Sequence, residues 1–178
     1  MRISDDRYHR ERARMELALR FLRHEARTQT IRAWTGLSDD RIRKLYRSYL
    51  GHARRQLPRH RGKSPHQVAY FTRSLRLQEE TALLASVLSL LGVLPAAEAA
   101  PGLTRGELLC QGFEAYRLLL PSAQISFEHA VFLATALGRG DQLRLASCSE
   151  CGGLMVTERF PLRSVRCQHC SAAPPPRA

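Results

Sequence analysis

This 178-residue sequence has no apolar run long enough to span a bilayer comfortably. The longest, residues 82–94, is broken by Ser86, Ser89 and Gly92, whereas a membrane helix needs roughly 20 apolar residues. Residues 1–10 are charged and lack the apolar core of a secretion signal. Both absences lead to the expectation of a cytoplasmic protein with no membrane role. Lysine is nearly absent: Lys44 and Lys63 are the two exceptions among 28 Lys+Arg. Acidic residues number only 16, so the formal net charge is +12. That balance favours a polyanionic partner, whether DNA, RNA or an anionic membrane face. There is no internal repeat, and no His-x-Glu precedes a Pro-Cys-x-x-Cys, which argues against a zinc deaminase.

What is present suits a folded chain. A composition of 44% hydrophobic and 25% charged residues is ordinary for a globular protein and unlike a disordered one. The length fits one compact domain or a helical body with a small appended module. Charge is unevenly placed: residues 1–80 carry 20 Lys+Arg and 9 Asp+Glu, whereas residues 81–178 carry 8 and 7. The polyanion-binding half is therefore expected at the front. Arginine's forked donors suit phosphate oxygens and guanine edges, but GC-rich coding would give the same excess, so the clustering says more than the count.

In residues 9–27, Met15, Ala18, Leu19, Leu22 and Ala26 recur at helical spacing, with Glu16 four residues before Arg20 as a supporting pair. Thr28 is placed to cap a short helix through Trp34, which stops at Thr35-Gly36, where glycine permits a left-handed turn. Ser38 offers a capping oxygen, Asp39 and Asp40 suit the positive end of a helix, and a third helix is expected to about Leu50. Residues 51–65 read as an exposed basic linker, with Arg54, Arg55, Arg59, Arg61 and Lys63 among almost nothing apolar. A helix over residues 65–77 is plausible, and residues 81–91, apolar on most of their circumference, read as a buried central helix. After a break at residues 95–102, Thr104 and Glu107 have capping-box spacing and open a helix ending before Pro121. Residues 126–137 form the next helix, ending at Gly138. Short strands fit residues 143–145 and 154–157, and residues 173–178 read as a proline-rich, disordered tail.

Cysteine usage is the most specific signal. Cytoplasmic thiols rarely pair as structural disulfides, so five cysteines need another explanation. Cys148 and Cys151 are separated by two residues, as are Cys167 and Cys170, and fifteen residues lie between the pairs. This is the spacing of a tetrahedral four-thiolate zinc site. Gly152 and Gly153 let the turn fold back so that backbone amides point at the sulfurs. Four thiolates close the coordination shell, which reads as one structural Zn2+ rather than a catalytic one, and metal binding is expected to supply the folding energy of this segment. An iron–sulfur cluster, a redox dithiol and unpaired core cysteines are the alternatives, and His169 can stand in for Cys170. Cys110 lies in an apolar helix and reads as a buried, inert thiol.

The second signal is the basic helix. On a helical wheel Ile42, Leu45, Tyr46, Tyr49 and Leu50 share one face, while Arg41, Arg43, Lys44, Arg47 and Ser48 occupy the other. A helix that follows a short helix and a Thr-Gly-Leu turn resembles a helix-turn-helix, whose second helix presents cations to the major groove. Many charged helix faces are merely solvated. The adjoining cations Arg54 and Arg55 add weight to DNA contact, since unpaired exposed cations would otherwise repel one another. The candidate DNA-binding residues are Arg41, Arg43, Lys44, Arg47, Arg54 and Arg55.

Thr35-Gly36-Leu37-Ser38 leading into Arg41-Ile42-Arg43-Lys44-Leu45-Tyr46 is followed by a Gly/Pro-rich basic stretch. Further on come Ala115-Tyr116-Arg117-Leu118 and then Ser147-Cys148, Cys151-Gly152-Gly153, Cys167 and Cys170. In this order the set resembles FlhC, the flagellar transcriptional activator family, over residues 16–170. The resemblance implies a transcription activator that joins an FlhD-like subunit in a hetero-oligomer, binds promoter double-stranded DNA upstream of flagellar genes and recruits RNA polymerase. It also implies a four-cysteine zinc site, at Cys148, Cys151, Cys167 and Cys170. The arginine-rich front and residues 59–63 depart from the family pattern, as a divergent paralogue would.

The expected fold class is mainly α. A helical bundle body carries a helix-turn-helix-like N-terminal part (residues 1–50), a linker (51–65), a helical core (66–138), a zinc-ribbon-like module (139–172) and a tail (173–178). The expected function is DNA-binding transcription regulation, with no enzyme activity and no small-molecule substrate. The alternative is a zinc-ribbon RNA- or ribosome-binding protein, disfavoured because Tyr46 and Tyr49 fall on the packing face and leave no stacking platform.

Overall fold

A computed structural model describes residues 2–50, 58, 60, 62–94, 101–160 and 166–172. Helix makes up 63% of it, and the one sheet among the described residues has two strands, so the fold is mainly α as expected. The chain divides into two compact units. The first comprises residues 1–65 and 100–111, the second residues 66–99 and 112–178.

In the first unit, α1 (Arg2–Arg23) is followed by α2 (Thr28–Thr35) and α3 (Asp39–Leu45), which runs into a π-helical turn, Tyr46–Leu50. The buried stripe of α1 is Leu17, Ala18, Phe21 and Leu22, a register shifted from the Met15–Leu19 one that spacing suggested. Helix α1 also stops at Arg23 rather than near residue 27. Glu25 takes a left-handed conformation at φ 61°, and Ala26 N donates to Phe21 O while Glu25 N donates to Leu22 O, both at 3.0 Å. This is the Schellman termination, here without the usual glycine. Thr28 is the first residue of α2 rather than its cap, a position held by Arg27 without a side-chain bond. Gly36 ends α2 at φ 69° as expected. Ser38 precedes α3 but makes no side-chain capping bond, leaving Asp39 and Asp40 in the first turn to meet the free amides' positive end. Ile31, Trp34, Leu37 and Ile42 complete the core, with the Phe21 and Trp34 rings 6.0 Å apart.

The first half of α5 (Leu103–Leu119) belongs to this unit. Because the helix opens at Leu103, Thr104 and Glu107 do not form the expected box, and Glu107 accepts from Arg20 Nη1 at 2.6 Å. Glu16, expected to support Arg20, pairs with Arg12 at 2.7 Å. Gly106 allows close packing: a Cβ there would lie 2.7 Å from Leu17 Cδ2. Cys110 is fully buried.

The second unit begins with a 3-10 turn, Val68–Phe71, and then α4 (Leu75–Leu90), whose start Ser74 caps by accepting from Leu77 N. The suggested helix over residues 65–77 is thus broken at residues 72–74, and the central helix begins earlier than residue 81. The second half of α5, α6 (Phe127–Arg139), the antiparallel strands β1 (Leu143–Ser147) and β2 (Leu154–Glu158), and α7 (Gln168–Ala172) complete it. Helix α6 passes through Gly138 and stops at Gly140, φ 63°. In the hairpin Leu145 faces Val156 and Ser147 faces Leu154; strand β2 packs on α4 and β1 on α6.

One polar group organises this unit. The Glu80 carboxylate, 2% exposed, accepts from Tyr116 OH at 2.8 Å, Gln124 N at 2.8 Å, Ile125 N at 3.3 Å and Arg76 Nε at 3.0 Å. It ties α4 to α5 and to the segment before α6. Burial raises its pKa, but the four hydrogen bonds outweigh burial and hold it below the ordinary value. The Tyr116 hydroxyl is pushed up, first by burial and then by its bond to Glu80.

Among the described residues no helix is long and apolar enough to cross a membrane.

Candidate metal centre and basic helix

The hairpin turn is itself half of the four-cysteine cluster. Cys148 follows β1 and Gly153 precedes β2; Cys148 N donates to Gly153 O at 2.9 Å, and Gly152 N to Cys148 O at 3.0 Å. Gly152 sits at φ 70°, which strains any residue with a Cβ. At Gly153 a Cβ would approach Cys151 Sγ to 3.3 Å. Cys167 directly precedes α7, and Cys170 is within it.

These two turns bring four sulfurs together. The Sγ atoms of Cys148, Cys151, Cys167 and Cys170 all lie within 4.8 Å of one another, and Cys151 Sγ is 3.7 Å from Cys167 Sγ. Four thiolates at the usual zinc–sulfur distance of about 2.3 Å would stand about 3.8 Å apart in a tetrahedron. The cluster can therefore close around one metal ion. None of the cysteines forms a disulfide. Cys148 is buried, Cys151 exposed, and the other two half-buried.

Backbone amides point at the sulfurs, as the glycine-bearing turn suggested. Cys148 Sγ accepts from Cys167 N at 3.2 Å and from Glu150 N at 3.4 Å, and Cys167 Sγ accepts from Cys170 N at 3.4 Å. Those donors, Cys167 N foremost, pull the Cys148 thiol down to about 6. Cys170 is pushed up to about 12, chiefly by its hydrogen bond with Cys167 in a crowd of sulfurs. A cation would remove that crowding by neutralising the thiolates. His169 turns its Nε2 to Glu79 Oε1 at 2.9 Å, and Arg166 pairs with Glu150 across the two turns. Leu75 and Ala82 of α4 with Leu154 and Met155 of β2 line a cavity of about 210 Å³ beside Cys151 and Cys167, an apolar flank of the kind that limits water at a metal centre.

The basic helix lies in the first unit. Arg41, Arg43, Lys44 and Arg47 are all exposed, opposite the fully buried Ile42. Arg41 pairs with Glu11 of α1, and Arg43 Nη1 with Asp40 Oδ1 at 2.9 Å; Lys44 and Arg47 have no ion-pair partner among the described residues. Arg54 and Arg55 lie outside the described residues, as do most of the linker and the tail. Of the residues around that linker, His60 Nε2 meets Glu25 Oε2 at 2.9 Å, and Arg27 Nη1 donates to Lys63 O at 2.6 Å.

One expectation on this helix is corrected. Tyr49, placed on the packing face by the wheel, is 66% exposed, while Leu50 is 8% exposed. The wheel assumed about 100° per residue, and the π turn is wider, with i→i+5 hydrogen bonds and about 80° per residue. Five such residues bring Leu50 back above Ile42 and carry Tyr49 outward. Sequence reasoning also missed Glu80, which in the sequence is indistinguishable from its neighbours Arg76, Gln78 and Glu79 in the polar first turns of α4.

No protein-family model matches the chain, and no curated protein matches it.

Proposed function

We propose that this protein is a cytoplasmic, DNA-binding transcription regulator of the FlhC type, in which Cys148, Cys151, Cys167 and Cys170 hold one structural Zn2+ and α3 meets duplex DNA. The observation that carries the reading is the exposed cationic face of α3, Arg41, Arg43, Lys44 and Arg47 over a buried Ile42, entered through the left-handed turn at Gly36. Cations in this arrangement bind phosphates and set affinity more than sequence choice. Arg54 and Arg55 follow α3 in the sequence and add to the positive charge of the front half. Zinc is the metal of choice because four thiolates at tetrahedral spacing suit it and leave no open position. With the shell closed, the reading is of a scaffold and not an enzyme. Activation of flagellar genes with an FlhD-like subunit and RNA polymerase rests on the order of motifs from Thr35 to Cys170.

The test is titration of zinc-loaded protein with duplex DNA at stepped salt. Tight binding that weakens steeply with salt is expected; salt-independent or absent binding contradicts the reading.

A second reading, RNA binding, gains from one observation. Tyr49 is outward and so available for base stacking, which removes half of the argument against a stacking surface. Competition between duplex DNA and structured RNA separates the two, and a preference for RNA selects the second.

A further inference from the structure

The π-helical turn at the end of α3 does something a plain helix would not. Continued at the α-helical pitch, residues 46–50 would point Tyr49 at the core near Ile42 and turn Leu50 to the side. The wider turn exchanges them: Leu50 is buried and the Tyr49 ring is 66% exposed. A large aromatic ring held out in water adds little to the packing of the described residues, and π turns recur at functional positions. Lys44, five residues earlier and so on the strip adjoining Tyr49, is exposed and without an ion-pair partner among the described residues. Arg47, exposed as well, lies two residues earlier and so on a different face of the helix.

An exposed ring with a cation on the adjoining strip combines the two chemistries that bind unpaired nucleotides: a face on which any base can stack and positive charge for a neighbouring phosphate. Fully paired, stacked DNA offers no base face to such a ring. We infer that Tyr49 with Lys44 forms a subsite for an unstacked base of DNA, as found in a locally opened or kinked duplex, with Tyr49 stacking on the base and Lys44 holding an adjoining phosphate. The inference rests on the proposed DNA-binding role of α3 and adds to it a subsite for unpaired bases, which contact with duplex phosphates does not require.

The test uses the zinc-loaded full chain and four oligonucleotides: a plain duplex, the same duplex with one unpaired 2-aminopurine, single-stranded DNA carrying 2-aminopurine, and the matching single-stranded RNA. For the wild type, the unpaired 2-aminopurine is expected to lose fluorescence on binding, as a stacked base does. Tyr49→Leu, which keeps apolar bulk but removes the ring, is expected to lower affinity for the single strand and the bulged duplex about tenfold and to abolish the quench. Affinity for the plain duplex should change less than twofold. Tyr49→Phe should behave as the wild type, and Lys44→Ala should reduce the salt slope on every substrate. Equal affinities of wild type and Tyr49→Leu for the bulged duplex, or an equal loss on all substrates, would overturn the inference while leaving duplex binding intact. A wild type that prefers the RNA strand over the DNA strand tenfold would overturn DNA as the source of the base. Binding of single strands without any binding of plain duplex would sink the proposed regulator and leave the stacking subsite standing; binding of none would sink both.

Discussion

The two units are held together by different means. The first packs Leu17, Phe21, Ile31, Trp34 and Ile42 in an apolar core that Thr30 and Thr35 share, and carries its charges on the surface. The second joins its helices through a buried carboxylate, Glu80, and ends in a hairpin whose two five-residue strands have little interior beyond Leu143 and Val156. Charge divides the same way: residues 1–65 and 100–111 carry 19 Lys+Arg and 8 Asp+Glu, so all but one unit of the +12 lies in the first unit. The difference teaches that surface chemistry and structural reinforcement are separable here. One unit presents cations on an apolar core, and in the other the cysteine cluster sits at the hairpin, which buries little apolar area of its own.

The largest expected effect that would break this contrast is removal of the metal. Cys148→Ser, or a chelator, is expected to release one zinc per chain and to unfold the hairpin and α7, read as lost amide protection in residues 143–172 with the α1–α3 amides still protected. Uniform loss across both units, or no loss, contradicts the separation. Acidification should act similarly, since protons compete with the metal for thiolates.

Next in size is Glu80→Ala, which leaves Tyr116 OH and two backbone amides buried without their acceptor. A loss of about 3 kcal/mol is expected in denaturant unfolding. Glu80→Gln sharpens the cause. The folded-state pKa of Glu80 lies below the ordinary 4.5, so its contribution is present above pH 4.5 and lost as pH falls through the folded value. The stability gap between wild type and Glu80→Gln should therefore close in acid below pH 4.5; a gap constant down to pH 2 would show that shape and not charge matters.

Arg43→Ala with Arg47→Ala is expected to leave stability within about 0.5 kcal/mol of the wild type, as exposed sites do. It should reduce the salt slope of DNA binding by about two. A small loss of stability, with no change in DNA contacts, is expected from Gly36→Ala. A Cβ there meets nothing within 4 Å, so only the left-handed backbone at φ 69° penalises it, by about 1 kcal/mol in thermal unfolding.

What was legible in the sequence was what is set locally. The Gly36 turn, both strands and the four-cysteine cluster follow from residues within a few positions or from a spacing that a metal imposes. Features that depend on the rest of the fold were not. Glu25 adopts a left-handed conformation that its side chain does not favour, because Ala26 and Phe21 close the helix end around it. Gly138 and Gly140 offer the same stop signal, and only the packing of α6 selects the second. Glu80 finds partners 36 to 45 residues away, beyond any local pattern. The exchange of Tyr49 for Leu50 escaped a wheel of constant pitch because the change of pitch is itself a consequence of burying Leu50.

The proposed grip of the arginine-bearing face of α3 on duplex phosphates is measured most directly as the salt dependence of duplex affinity for the zinc-loaded wild type against a chain with Arg41, Arg43, Lys44 and Arg47 all changed to alanine. A steep wild-type slope that falls by about three to four in the variant is expected, with helicity unchanged. Superimposable slopes for the two folded proteins would contradict it.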